Sequence, residues 1–329
     1  MDFISQTVQL GSGRSLHLLR SDGEPAAAPA ALLIHGALAT AHDWLSGPAD
    51  VLAQGGPVAV VDRPGHGSSR RPRFASAPRD QAAQIRDGAR ALGLEAPILV
   101  GHSFGALVAL AWAEQWPDEV GGLLLLSPIA FPEVRPLEHA WLAPRSAPIV
   151  GPMFAEAGRW TGDAPMLRLA QRLMFAPDRP PPRWLASYPY RQILDPRQMV
   201  EEGEDAASLF PPTGQALVDF RRITAEVTIL AGEADLVADP SRHARRLHAV
   251  LPGSRLVTFP GAGHMIHHAA TAAVGAELDR LRAGCMAQRS GLGVAFCRGK
   301  VGSRARVESD EALKLPANAS AGAIFRKST

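Results

Sequence analysis

The clearest indication of the fold is the segment Gly101-His102-Ser103-Phe104-Gly105. It follows an apolar run that ends at Val100 and precedes a segment rich in Ala and Leu, so it predicts a sharp turn between a strand and a helix. Glycines are required where the two backbones nearly touch. Such a turn holds the serine hydroxyl at the edge of the sheet, at the positive end of a helix. We therefore interpret Ser103 as a candidate nucleophile.

On either side of this turn, short apolar runs alternate with helical patterns over the first 284 residues. That order is typical of an α/β protein, with a mostly parallel sheet flanked by helices. The continuous apolar runs 31–34 and 58–61 predict strands that are buried on both faces. Alternating residues around 11–13 predict an opening antiparallel hairpin. Single helices are predicted over 43–54, 79–92, 104–116, 240–250 and 266–281.

Residues 128–215 interrupt this order. Prolines are frequent there, and the segment contains both tyrosines of the chain together with Trp141, Trp160 and Trp184. A crossover between parallel strands needs only a dozen or so residues. We therefore predict a mainly helical cap, inserted after the sixth strand over the carboxyl edge of the sheet. Its aromatic side chains either line a substrate pocket or form the cap's own core.

The composition changes after residue 284. Both cysteines and all the lysines lie beyond that point, in a segment with little apolar periodicity. We predict that 1–127 and 216–284 form the core, that 128–215 forms the cap, and that the tail 285–329 is disordered.

A serine hydroxyl is a weak nucleophile at neutral pH and needs a base within hydrogen-bonding reach. His264 lies in a glycine-rich loop after a predicted strand, so it can reach the same sheet edge as Ser103. His267 and His268 follow on the final predicted helix, and His102 is expected to turn away into the sheet. His264 is therefore the preferred base among eleven histidines.

The base in turn needs a carboxylate that fixes its tautomer and stabilises the imidazolium. The loop after the predicted strand 227–231 offers Glu233, Asp235 and Asp239. Asp239 precedes Pro240, a pattern that is also typical of a helix cap. The chain order Ser, Asp, His suits a nucleophile on a strand-to-helix turn, but it leaves the choice among these acids open.

Acyl transfer also needs N–H donors aimed at the developing oxyanion. The backbone N–H of Phe104 is one candidate, because it directly follows the nucleophile. The second comes from His35-Gly36-Ala37-Leu38 after the predicted third strand, where Ala37 is the natural donor. Gly36 would let the backbone bend toward the substrate. Candidate substrate-binding residues are His35, Gly36, Trp141, Trp160 and Trp184.

Together these motifs resemble the α/β-hydrolase fold superfamily, in the branch with His-Gly after strand three and Gly-x-Ser-x-Gly after strand five. Asp62-Arg63-Pro64-Gly65-His66-Gly67-Ser68-Ser69 is similar to that branch's loop after strand four. Gly232-x-x-Asp235 and Gly263-His264 match its acid and base positions. The resemblance covers roughly residues 5–284.

The resemblance implies an eight-stranded sheet and a catalytic triad of Ser103, His264 and Asp235. A serine at the turn argues against epoxide hydrolases and haloalkane dehalogenases of this fold, which carry an aspartate there. We expect a serine hydrolase that cleaves an ester or related acyl bond of a small hydrophobic substrate. A carbon–carbon bond hydrolase, an acyltransferase on the same triad, and a non-catalytic ligand-binding receptor remain as alternatives.

The net charge, the hydropathy and the absence of metal and nucleotide motifs in the sequence argue against several classes of function. A formal net charge of +2 gives no strong field for nucleic acid. No apolar run reaches 18 residues and no secretory signal opens the chain, so we expect a cytoplasmic protein without a membrane span. Neither H-E-x-x-H nor a zinc-type cysteine pair occurs in the core, and the glycine-rich pieces lack dinucleotide spacing. We therefore expect no metal and no organic cofactor, and the oligomeric state is not indicated.

Overall fold

The fold is organised around an eight-stranded sheet, seen in a computed structural model that describes residues 2–21 and 28–289. The strands are β1 (Phe3–Gly11), β2 (Arg14–Ser21), β3 (Ala31–Ile34), β4 (Val58–Val61), β5 (Ile98–His102), β6 (Gly122–Leu126), β7 (Val227–Gly232) and β8 (Arg255–Phe259). Their order in the sheet is β1-β2-β4-β3-β5-β6-β7-β8. The first two strands form an antiparallel hairpin, β2 pairs antiparallel with β4, and β3 to β8 are parallel. The predicted α/β class with a mostly parallel sheet is confirmed.

Helices cover both faces of the sheet. They are α1 (His42–Leu45), α2 (Pro48–Leu52), α3 (Pro78–Ala91), α4 (Phe104–Gln115), α5 (Pro136–Leu142), α6 (Gly151–Thr161), α7 (Asp163–Phe175), α8 (Pro182–Ser187), α9 (Tyr190–Ile193), α10 (Pro196–Ser208), α11 (Ala244–Val250), α12 (Ile266–Ala269) and α13 (Thr271–Arg289). Buried side chains of α3, α4 and α11 form a core on one face, and those of α1, α2 and α13 form a second core on the other.

Helix α4 begins directly after the candidate nucleophile Ser103 and is the most deeply buried helix of the core. The side chains from Phe104 to Ala113 are almost completely inaccessible to solvent. Ala and Leu favour the helix, and an apolar surface on every side is typical of a helix enclosed by protein. The helix ends at Gln115 because the residue before Pro117 is disfavoured in the helical conformation.

Two helices differ from their predicted boundaries, one by a break and the other by a later start. The helix predicted over 43–54 is divided into α1 and α2, because Gly47 has a φ of 157° and Pro48 opens a new helix. The helix predicted from Pro240 starts only at Ala244, after a turn.

The final predicted helix, 266–281, is also divided in two, and it ends later than predicted. Ala270 interrupts it between α12 and α13, and α13 continues to Arg289. It therefore crosses the predicted boundary at residue 285, and Cys285 is buried. The boundary of the tail needs this correction, while residues 290–329 lie outside the described part of the chain.

The segment between β6 and β7 folds as helices α5 to α10. They share an apolar cluster that is separate from the two cores beside the sheet and that also includes Leu38 and Met265 from loops of the core. Its interpretation as a cap stays a prediction. The cluster members in this segment include Leu142, Leu167, Phe175, Trp184, Ile193 and Met199.

Among the described residues, no helix combines the length and the apolar character that crossing a bilayer requires.

We predict that Gly105→Ala destabilises the fold, because α4 begins against the backbone of β3. A Cβ at Gly105 would lie 2.3 Å from the Ile34 carbonyl oxygen, which is backbone and cannot swing away. Overpacking of this kind costs about 1–3 kcal/mol, measured as the free energy of unfolding in urea. The control is Gly275→Ala in α13, where the nearest atoms would be 3.9 Å from the Cβ. Equal stability of the two variants would contradict the close approach.

Candidate active site

Ser103 occupies the predicted turn between β5 and α4. Its backbone has a φ of 54° and a ψ of −119°, a region that non-glycine residues rarely adopt and that costs about 1–3 kcal/mol. The loop after β3 approaches it so closely that a Cβ at Gly36 would lie 3.0 Å from the Ser103 Cβ. The hydroxyl group thus projects from a strained turn at the carboxyl edge of the sheet.

His264 and Asp235 form a buried hydrogen-bonded pair at the same edge. His264 Nδ1 donates to Asp235 Oδ2 over 2.8 Å, and each side chain is only 1% exposed. Asp235 Oδ1 accepts from the backbone N–H of Val237 and of Ala238. Burial alone raises the pKa of Asp235, but the charge and hydrogen bond of His264 and the two backbone donors outweigh it, so the pKa lies below its usual range. An ionised Asp235 leaves His264 Nε2 free to accept a proton.

The two rival acids of the same loop have other partners. Glu233 forms an ion pair with Arg245 at the surface. Asp239 Oδ1 accepts from the backbone N–H of Ser241, in the turn that precedes α11. Of the three candidate acids, Asp235 is therefore the one that contacts His264.

His102 turns into the protein, as predicted, and its ring contacts the loop of the candidate base. His102 Nε2 donates to the backbone oxygen of His264 over 3.1 Å. Burial lowers the pKa of His102 well below its usual range, and the nearby imidazoles of His267 and His264 lower it further. A neutral His102 fixes the position of the His264 backbone.

Ser103, His264 and Asp235 line one cavity of about 520 Å³, a volume typical of small-molecule sites. Ala37 and Phe104, the predicted oxyanion donors, line it as well. The Phe104 N–H opens α4, where the first backbone donors have no partner within the helix. In the described part of the chain, the Ser103 hydroxyl and His264 are not hydrogen-bonded to each other. Catalytic hydrogen bonds of this kind are often long without substrate and shorten when substrate binds.

His35 and Gly36 do not line the cavity, so their prediction as substrate-binding residues needs a correction. His35 is fully buried; its Nε2 accepts from the Arg63 backbone N–H, and its Nδ1 donates to the Gly36 oxygen over 2.8 Å. Burial is the main reason that the pKa of His35 lies well below its usual range. These two residues shape the loop rather than contact the cavity.

The three candidate tryptophans have different surroundings, and only Trp141 lines the cavity. Trp160 is 75% exposed on α6. Trp184 is buried in the apolar cluster of the α5–α10 segment, and its Nε1 donates to Asp43 Oδ1 over 2.9 Å. The prediction of a pocket lined by all three is corrected for the latter two, because aromatic content alone does not distinguish a pocket wall from a core.

Asp43, which no sequence motif indicated, joins three parts of the fold. His267 Nε2 donates to Asp43 Oδ2, and His268 Nε2 donates to Asp43 Oδ1. Burial opposes ionisation, but the two imidazoles hold the pKa of Asp43 well below its usual range. Asp, His and His are potential metal ligands, and their ligand atoms lie within 4.8 Å of one another. The hydrogen bonds of Trp184 and the histidines already occupy both carboxylate oxygens.

The loop after β4 carries the aspartate and glycine motif, and its role is to join other segments. Asp62 Oδ1 accepts from the Ala41 backbone N–H, and Asp62 Oδ2 accepts from Ser68 N–H and pairs with His17. Arg63, which is fully buried, donates to Asp205 of α10 over 2.6 Å. The motif therefore binds the loop after β3, the β1–β2 hairpin and α10 together.

Arg71 and Glu201 add a second buried pair between that loop and α10. Arg71 Nε donates to Glu201 Oε2 over 2.6 Å, and Glu204 and Asp205 lie beside Arg71. Burial raises the pKa of Glu201 to about 7; Arg71 opposes the rise and the two neighbouring acids add to it.

We predict that Glu201→Gln changes the pH dependence of stability. Because the folded-state pKa of Glu201 is raised from 4.5 to about 7, its contribution to stability is greatest below pH 4.5 and is lost as the pH rises through about 7. Glutamine cannot ionise, so the variant gains stability relative to wild type between these pH values. Urea unfolding at pH 4.5, 5.5, 6.5 and 7.5 measures the difference, and a constant difference would contradict the raised pKa.

Comparison with known proteins identifies the family of this chain. Residues 31–277 match the profile of the alpha/beta hydrolase family, and the chain belongs to that family. The uncharacterized protein Rv2715 of Mycobacterium tuberculosis is 33% identical over 259 residues, which cover 73% of this chain and 71% of that one. The human 1-acylglycerol-3-phosphate O-acyltransferase ABHD5 is 31% identical over 132 residues, covering 39% of this chain and 38% of the relative. A thermophilic esterase from Thermogutta terrifontis superimposes with a TM-score of 0.63 at 20% identity, over 86% of this chain and 100% of that one.

Proposed function

We propose that this chain is a serine hydrolase that cleaves an ester bond of a small hydrophobic substrate. The observation that carries the proposal is the position of Ser103, on a strained turn, in the same cavity wall as a His264 that is hydrogen-bonded to Asp235. A serine nucleophile, an oriented base and backbone donors near the serine are the parts that acyl transfer requires.

The proposed reaction has two steps. His264 Nε2 takes the hydroxyl proton as Ser103 Oγ bonds to the substrate carbonyl carbon, and the N–H groups of Ala37 and Phe104 stabilise the oxyanion. Collapse of this intermediate breaks the ester C–O bond, and His264 gives its proton to the departing alcohol. A water molecule, deprotonated by His264, then attacks the acyl-enzyme and regenerates Ser103. Asp235 stays ionised throughout and stabilises the imidazolium.

The cavity wall favours an apolar group next to the ester. Helix α7 contributes a row of apolar side chains to it, and Leu137 and Trp141 of α5 add to the same wall. Charged side chains also take part, among them Glu133, Arg135 and Arg242. An apolar acyl chain with a polar alcohol portion is the substrate shape that fits both. The α7 residues are Met166, Leu169, Ala170, Leu173 and Met174.

Transfer of the acyl group to an alcohol instead of water is the second candidate. The observation that favours it is the similarity to ABHD5 over 132 residues, since that relative bears the name of an acyltransferase. The first step is the same for both reactions, so only the acceptor distinguishes them.

We predict that p-nitrophenyl esters are hydrolysed and that Ser103→Ala and Asp235→Asn each lower kcat by about 10³-fold or more, as loss of a triad member does. Glu233→Gln serves as the matched control and should retain activity, because Glu233 pairs with Arg245 at the surface and does not line the cavity. The release of p-nitrophenol measures the rates, and added glycerol tests for acyl transfer by product analysis. Folded wild-type protein without turnover of any ester would contradict ester hydrolysis and favour carbon–carbon cleavage or a receptor.

We predict that Leu173→Trp shifts the preferred acyl chain to a shorter length, because a larger side chain in the cavity wall leaves less room. The control is Leu185→Trp, which changes the same residue type on α8, outside the cavity wall, where the leucine is 42% exposed. The measurement is kcat/KM for p-nitrophenyl esters of two to twelve acyl carbons. The same optimum in Leu173→Trp and wild type would show that the acyl chain binds elsewhere.

A further inference from the structure

The loop after β3 presents one candidate oxyanion donor, and its backbone is held from both sides. The Gly36 oxygen accepts from Arg63 Nη2 over 3.1 Å and from His35 Nδ1 over 2.8 Å. A trans peptide is planar, with its C=O and N–H pointing in opposite directions. Fixing the Gly36 oxygen in the protein interior therefore directs the Ala37 N–H, which belongs to the same peptide, toward the cavity that Ala37 lines.

The next residue, Leu38, is held by two side chains of the α5–α10 segment. Glu202 Oε1 of α10 accepts from the Leu38 N–H over 2.9 Å. The Tyr188 hydroxyl donates to the Leu38 oxygen over 2.6 Å. Leu38 itself has a φ of +52°, a conformation that a leucine keeps only where its surroundings impose it. Both backbone groups of Leu38 thus depend on residues that are 150 and 164 positions away in the chain.

Both side chains are buried, so water cannot replace the hydrogen bonds that they make to Leu38. Glu202 is 1% exposed and Tyr188 is 6% exposed. Burial raises the pKa of Glu202 to about 7, while Arg63 and the Leu38 N–H act in the opposite direction. His66 Nε2 lies 3.3 Å from Glu202 Oε1. Breaking one of these bonds leaves a buried polar group unsatisfied, which makes the arrangement stiff.

We propose that Glu202 and Tyr188 are positioning residues for the oxyanion hole, which they hold in place through Leu38. The inference rests on the proposed function, because it assigns the Ala37 N–H to the transition state. It makes the helices between β6 and β7 part of what sets the catalytic rate, in addition to any role in binding substrate. The alternative is that the two bonds only attach that segment to the core.

The test compares each positioning residue with its neighbour. Glu202→Met and Tyr188→Phe remove the two bonds to Leu38. Glu201→Gln removes a buried acid from the same helix but keeps an oxygen that accepts from Arg71, and Tyr190→Phe removes a hydroxyl that contacts Gln171 instead. We expect kcat for a p-nitrophenyl ester to fall about tenfold or more in the first pair with KM within about twofold, below the ~10²–10³-fold loss for a missing oxyanion donor. The controls should stay within about twofold of wild type.

The conservative variant Glu202→Gln separates positioning from charge. Its amide oxygen can still accept from the Leu38 N–H, so it should keep at least about half of the wild-type kcat. A boronic acid inhibitor of Ser103 adds a readout of transition-state binding. Its affinity should fall with kcat in Glu202→Met and Tyr188→Phe, whereas a purely structural role would lower thermal stability and leave kcat and inhibitor affinity unchanged.

Hydrogen–deuterium exchange of the peptide that spans residues 36–41 gives a readout independent of catalysis. We expect the Leu38 amide to exchange about tenfold faster in Glu202→Met and Tyr188→Phe than in wild type, with no change in the two controls. Unchanged exchange, or a loss of kcat that Glu201→Gln and Tyr190→Phe share equally, would overturn the inference. If wild type hydrolyses no ester, the proposed function fails, while exchange still decides whether the two residues hold the loop. Should Glu202→Met not fold, Tyr188→Phe carries the test, because it removes a single hydroxyl group.

Discussion

The contact between the first turn of α4 and the end of β3 is the constraint on which the site depends. Gly105 lies so near the Ile34 and His35 carbonyl oxygens that no side chain fits between them. With α4 held this close, the residue before it has to turn sharply, and Ser103 takes up the strained conformation. The same contact brings the Ala37 loop beside the serine. The proposed nucleophile and the loop with the proposed donor Ala37 are therefore brought together by one backbone approach, and the contacts of Leu38 then hold that loop in place.

The polar contacts between α10 and the loops after β3 and β4 give a second constraint. Arg63 and Arg71 bury their guanidinium groups against Asp205 and Glu201 of that helix. Buried ion pairs add little net stability, because desolvation offsets their attraction. Their geometry is directional, however, so they admit few arrangements of the helix on the core. The apolar cluster stabilises the packing of the α5–α10 segment, and the ion pairs fix the position of α10 on the core.

The sequence predicted those features that are encoded by neighbouring residues. The sheet, the turn at Ser103 and the candidates His264 and Asp235 each depend on a local pattern of strand, loop and helix. Glu202 and Tyr188 could not be found in this way, because their partner Leu38 is more than a hundred residues distant and no short motif links them. The pocket prediction was wrong for Trp160 and Trp184 for a related reason, because whether an aromatic ring lies at a cavity, in a core or at the surface depends on how helices pack, which composition does not encode.

Glu202 and Asp205 are three positions apart on α10, and so both lie on one face of that helix. Inserting or deleting a single residue between them would rotate one carboxylate by about 100° away from its partner. Helices α5 and α6 pack closely against α10, and a Cβ at Gly203 of α10 would lie 2.6 Å from the Leu142 backbone oxygen. For protein engineering, the α5–α10 segment is therefore expected to transplant between relatives only as one unit, together with the loops that α10 contacts.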